Sequence, residues 1–402
     1  MNKDATLDIV LGGMLFLCIL ASTFPPLNST TMVLASLAGW FMFAFLQSPI
    51  QLLNSLSRYK ITIFFALLTV VLPQIFHASV IRNRYLGLML FPLGLVIFDY
   101  YYRKGKFVVI KNVLLLLLPF LAYTFYVTVT ALNDSSYASR QAKGENLDDA
   151  ASGIGGYTFI YFLAILTSIL IPCLLNSKVK RKLFLGIICL LCVFAIIKSN
   201  FFIALLCVPI SLVIALLITY KKMLPVFILL SILVVILSGL GIDKMALDSL
   251  GMMSGEGKLK DRIELLKDSG IIFGVFDMFQ EGRSSTLSSS WGTLIQYPFL
   301  GSISDSTKNI EEYLDSDAIG QHSHILDTFA FMGVIVGILN IIVIFKPFCI
   351  PLSDKSFVSV KYSCMAVLFI ILFFNNGTPS IAFCSTIFYP WFISQNIDAK
   401  SA

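Results

Sequence analysis

The chain is built from long apolar runs separated by short polar breaks. The runs are about 16 to 26 residues long and show no two-residue alternation, so they are helices long enough to cross a bilayer. About twelve can be marked, near 7–24, 30–46, 61–79, 85–102, 107–132, 157–175, 183–197, 200–220, 223–241, 323–345, 356–374 and 381–396. In lipid each backbone polar group must be satisfied within its own segment, which leaves the helix as the form for such runs. The pattern predicts an all-α, polytopic integral membrane protein in three blocks. Helices one to nine fill 1–241 and include a polar loop at 133–156. A large polar loop occupies 242–322, and three more helices fill 323–402. Within the large loop, Lys258 to Leu266 and Trp291 to Ile295 predict short helices, the second ended by Pro298.

Composition narrows the class. Of 402 residues 57% are hydrophobic and 13% charged, where a soluble domain carries about 25% charged residues. The net charge of +6 is not a nucleic-acid signature, because the basic residues sit in small clusters between apolar runs, as topology signals do. With the amino terminus inside, the inner segments hold fifteen Lys and Arg and the outer loops other than 242–322 hold five. That puts both termini in the cytoplasm and both long loops outside. The eight cysteines lie in or beside apolar segments and read as small packing residues, Cys189 and Cys192 included. Asp99 and Lys111 fall near inner helix ends, where snorkelling or interfacial solvation accounts for them.

The chemistry is concentrated in the outer loops. His322 and His324 stand where the large loop enters an apolar helix, with Ser323 as candidate N-cap. The positive end of a helix disfavours imidazolium, and neutral imidazole is what a general base needs. Asp327 lies one turn on and could orient an imidazole. The same spacing also fits interfacial histidines with Asp327 complementing the helix dipole. Arg82, Arg84, Arg140 and Arg283 lie on the side the topology rule leaves poor in cations, so lipid phosphate is a natural partner for their guanidinium groups. Arg140 and Arg283 are flanked by small residues that admit a substrate, whereas Arg84 reads as loop solubility. His77 reads as a packed interfacial histidine. The GEGKLK run at 255–260 lacks the remainder of a phosphate loop, and no metal-ligand cluster or carboxylate pair is visible.

Three patches, in order, resemble the O-antigen polymerase family (Wzy type), which is related to the O-antigen ligases. The first is Arg140 followed by Gly155, Gly156, Tyr157 and Tyr161. The second is Arg283, Trp291, Pro298 and Gly301. The third is His322, Ser323, Leu326 and Asp327, with Gly333 eleven positions after the first His. The resemblance implies a GT-C-like fold and metal-independent, inverting glycosyl transfer at the periplasmic face of the bacterial inner membrane, with no cofactor. Donor and acceptor are oligosaccharides on undecaprenyl diphosphate, and a chain-length regulator is a possible partner. It further implies His322 as general base, Arg140 and Arg283 as diphosphate ligands, and His324, Asp327, Arg82 and Tyr157 as substrate-side support. Because of the HSH sequence, either His322 or His324 could be the base. Two other readings stand beside it. A ligase moves the same glycan onto lipid A-core. A transporter or flippase carries charge along its spans and shows paired halves, neither of which is visible in this chain.

Overall fold

A computed structural model describes residues 3–75, 82–132, 151–176, 182–199, 201–220, 225, 287–304, 322–350 and 357–398. The described residues are helical, with no strand among them. In chain order they form α1 (Lys3–Thr23), α2 (Thr30–Gln47), α3 (Pro49–Arg58), α4 (Lys60–Ile75), α5 (Arg82–Arg103) and α6 (Phe107–Ala131). Then come α7 (Tyr157–Leu175), α8 (Lys182–Ser199), α9 (Phe202–Thr219), α10 at 287–296, α11 (His324–Phe345) and α12 (Val358–Phe374). The last helix, α13, runs Pro379–Phe383, widens into a π-turn at Cys384–Phe388 and continues as Tyr389–Asp398.

Among the described residues, seven helices are long and apolar enough by length and composition to cross a membrane, and the bent pair α3–α4, taken as one span, adds an eighth. This is a membrane-embedded chain. The remaining expected spans divide by cause. Helix α5 carries charge at both ends and Asp99 within, and α12 has only 17 residues. The run at 223–241 and the helix expected at Lys258 to Leu266 lie outside the described residues. Trp291 does start the second half of a short helix that ends before Pro298, as the sequence implies.

Helix α7 is the central post. It packs on α8, α9, α12 and α13, and nearly all of its middle is buried. Helices α1, α2 and α6 form one flank. Helices α4 and α5 link that flank to α11 and α13. The cysteines take the packing role expected of them: all are free, and all but Cys349 are buried.

Three expectations need correction. The stretch between the second and third spans is not a plain loop: it is helix α3, which meets α4 at 85°. Asp99 does not snorkel. It is buried at 3% exposure, accepts hydrogen bonds from Ser55 (2.8 Å) and Arg103 (2.9 Å), and lies 3.5 Å from Arg58. Burial without those donors would be prohibitive for a carboxylate, so α3 and α5 are joined by charge as well as by contact.

The third correction concerns 323–345, expected as one straight span. Residues 328 and 340 of a straight helix stand roughly 18 Å apart along its axis. Here Asn340 Nδ2 donates to Thr328 Oγ1 at 3.2 Å. The helix therefore doubles back, and it does so at Gly333, whose φ of 80° and ψ of 177° belong to a region open to glycine alone. The two arms touch again where the Phe329 ring covers Gly337, leaving no room for a Cβ.

The segment 298–301 fits into this reversal. Val334 N donates to Pro298 O at 2.8 Å, which satisfies a donor that the break would otherwise orphan. A Cβ on Gly333 would collide with the Phe299 carbonyl, and one on Gly301 with the Phe331 carbonyl. Two backbones meet here with no side chain between them. Gly333→Ala is therefore expected to lose the reversal: folded protein in detergent should fall several-fold by fluorescence-detected gel filtration. Gly292→Ala, where a Cβ meets nothing, should leave the yield unchanged.

Candidate functional site

The site is assembled at the amino-terminal end of α11. Ser323 is the N-cap, as its position suggests: its Oγ accepts from Leu326 N at 3.0 Å. Asp327 completes the cap from the other direction, with Oδ2 accepting from Ser323 N at 3.1 Å. This reciprocal arrangement satisfies donors at the helix start and fixes the direction in which the chain enters it. The second oxygen of Asp327 accepts from Ser290 Oγ at 2.6 Å, which ties α10 to α11. Asp327 is buried, so both bonds form away from solvent.

The two histidines are separated by that cap. His322 precedes it and is exposed; His324 follows it and is only 7% exposed. The His324 ring lies 5.9 Å from the Phe91 ring of α5, centroid to centroid, and its Nδ1 edge presses against Gly377, where a Cβ would overlap it. The Asn340 carboxamide, brought round by the reversal of α11, faces the same imidazole. Among the described residues Nε2 of His324 and Oδ1 of Asn340 remain buried without a hydrogen bond. Such a pair is where a hydroxyl or a water molecule gains most from binding.

The loop between α12 and α13 closes the site from below. His324 N donates to Asn375 O at 3.0 Å, and Tyr161 Oη donates to Asn375 Oδ1 at 2.8 Å. Asn375 thus bridges α7 to α11. Behind it, Gly155 N donates to Thr128 Oγ1 at 2.8 Å and Tyr123 Oη to Ser152 O at 3.3 Å, which holds the entrance to α7 against α6. Tyr157 opens α7, is exposed, and packs edge-on to Tyr161 with ring centroids 6.1 Å apart.

The candidate residues named from the sequence are thus partly gathered. His322, His324 and Asp327 share one helix start, and Tyr161 reaches them through Asn375. Pro298 and Gly301 meet the same helix further on, at its break beside Gly333. Arg82 is in the first turn of α5. Arg140, Arg283 and His77 lie outside the described residues. Sequence reasoning missed Asn375, Gly377, Asn340 and Ser290. The run Asn375-Asn376-Gly377-Thr378-Pro379 was legible as a polar break between two apolar runs, but nothing in it named a partner. Asn340 gave a fainter signal, a lone carboxamide within an apolar helix.

If Asp327 joins α10 to α11 through Ser290, the two substitutions must be coupled. Ser290→Ala and Asp327→Ala are each expected to lower stability by about 1–3 kcal/mol. The double variant should lose less than the sum of the singles, read as melting temperatures of the detergent-solubilised protein. Strict additivity would show that the bond contributes nothing.

Compared with known proteins, the chain matches no protein-family model and no curated relative.

Proposed function

We propose that this chain is a polymerase of lipid-linked oligosaccharide repeat units, of the O-antigen type. It sits in the bacterial inner membrane with both termini in the cytoplasm and acts at the periplasmic face. The observation that supports this most is the meeting of three segments far apart in sequence. Tyr161 of the first patch meets the start of α11 through Asn375, and Pro298 and Gly301 of the second meet the same helix at its break, residues 331–334, so all three patches bear on α11. These are the segments that carry the family resemblance, and their convergence is what a shared site needs.

The reaction assigns each group a task. The acceptor sugar hydroxyl gives its proton to an imidazole while its oxygen bonds to the anomeric carbon of the donor. The bond from that carbon to the diphosphate oxygen breaks, configuration inverts, and undecaprenyl diphosphate leaves with the electron pair. Arg140 and Arg283 hold the leaving diphosphate, whose growing charge needs fixed cations. Arg82 and Tyr157 are assigned supporting roles toward the substrate.

Exposure distinguishes the histidines. A hydroxyl on a bulky glycan reaches the exposed His322, whereas His324 is enclosed by Phe91, Gly377 and Asn340. His322 is thus the base, and His324 and Asp327 are positioning residues.

His322→Ala is expected to reduce chain extension by about 10²–10⁴-fold, the usual contribution of a general base, with protein level and membrane insertion unchanged. The readout is the lipopolysaccharide ladder of a deletion strain carrying the variant. Ladders like the wild type would remove the proposed base. Deletion itself should leave single capped repeat units, while bare core would identify a ligase instead. Arg283→Lys keeps the charge and loses the planar fork, so it should shorten the chains. Full activity there would argue against bidentate contact with diphosphate.

A further inference from the structure

At the opposite end of the bundle, α3 has a face that no described helix covers. Ser48 closes α2 and Pro49 opens α3 directly, and α3 then meets α4 at 85°. Helix α4 packs on α5 and α11, and α2 is long and apolar enough to cross a membrane, so a helix set at 85° to α4 fits across the end of the bundle, at the depth of lipid headgroups. Leu52 and Ser55 turn inward, and Ser55 bonds to Asp99 of α5. The outward face starts with Ile50 and Leu53, 75% and 55% exposed, and ends with Ser57 and Arg58. Phe45 and Leu46, exposed at the end of α2, extend its apolar half.

The basic half continues into Lys60, exposed at the start of α4. Asp99 beneath Arg58 is buried and already bonded by Ser55 and Arg103. Arg58 itself is more than half exposed and touches Asp99 through one nitrogen only, at 3.5 Å, so its remaining donors face outward. An apolar patch beside an arginine and a lysine, at headgroup depth, suits a lipid whose phosphate is anionic and whose acyl chains begin just below it.

We propose that α3 is an in-plane helix that binds an anionic phospholipid, with the headgroup phosphate at Arg58 and Lys60 and the upper acyl chains beneath Ile50 and Leu53. This stands apart from the glycosyl-transfer reading, since it concerns the other end of the molecule and a different ligand.

The test places a reporter on the face. Full-length protein carrying Leu53→Trp is reconstituted in nanodiscs of phosphatidylcholine and phosphatidylglycerol, with one of the two lipids brominated on its acyl chains. Emission of the protein without the added tryptophan is subtracted. Brominated phosphatidylglycerol is expected to quench the new tryptophan more, mole for mole, than brominated phosphatidylcholine. Lys60→Gln, which leaves the Asp99 contacts intact, should cut that preference by up to about five-fold, the effect of one cation at an anionic surface. Arg58→Gln with Lys60→Gln should abolish it. Equal quenching by the two lipids before any cation is removed would overturn the proposal. So would the absence of quenching by either lipid, which is what a second copy of the chain or another protein on this face would produce.

Discussion

The reversal of α11 at Gly333 is the constraint on which the rest of the site depends. A helix broken inside a membrane protein exposes backbone donors and acceptors that lipid cannot satisfy, at a cost of several kcal/mol each. Here the break is tolerated because another piece of backbone fills it. Pro298 O accepts a hydrogen bond from Val334 N, and Gly301 and Gly333 let the two chains approach without side chains between them. The segment 298–301 and the reversal require one another.

Several features follow from that reversal. It brings Asn340 to the imidazole of His324 and lets it bond to Thr328. It sets the first arm of α11 as a short, capped helix whose start carries both histidines. It also makes α10 a neighbour of α11, so that Asp327 can serve as cap and as tether to Ser290 at once. A straight helix through 324–345 would keep the cap but lose the approach of Asn340 to Thr328 and His324.

The molecule has two polar ends of different character. Around α11 the polar groups are mostly neutral and act through hydrogen bonds: Ser323, Tyr161, Asn375, Asn340. At the other end they are charged and paired. Lys106 pairs with Asp8, Gln47 bonds to Asp8 at 2.7 Å and to Lys104 at 2.8 Å, and Asp99 binds Arg103. Helix α5 runs between the two ends. Phe91 touches His324, and Arg103 lies roughly 18 Å of helix rise further on. The charged end secures helices, and the neutral end leaves buried groups with bonding capacity to spare.

The sequence by itself determined that this chain is helical and embedded in a membrane, because long apolar runs admit no other backbone. It also determined local chemistry that needs only neighbours along the chain, such as the Ser323 cap and the short helix around Trp291. Only the tertiary structure decided where α11 turns back, that α3 exists as a helix across the bundle, and that Asp99 is buried in a charge network. It alone placed Asn375 between Tyr161 and His324. Periodicity reports burial within one segment, and it cannot report which distant backbone will fill a break. The resemblance marked Gly333, but nothing in its apolar run said why a glycine is needed there until Pro298 and Gly301 were seen against it.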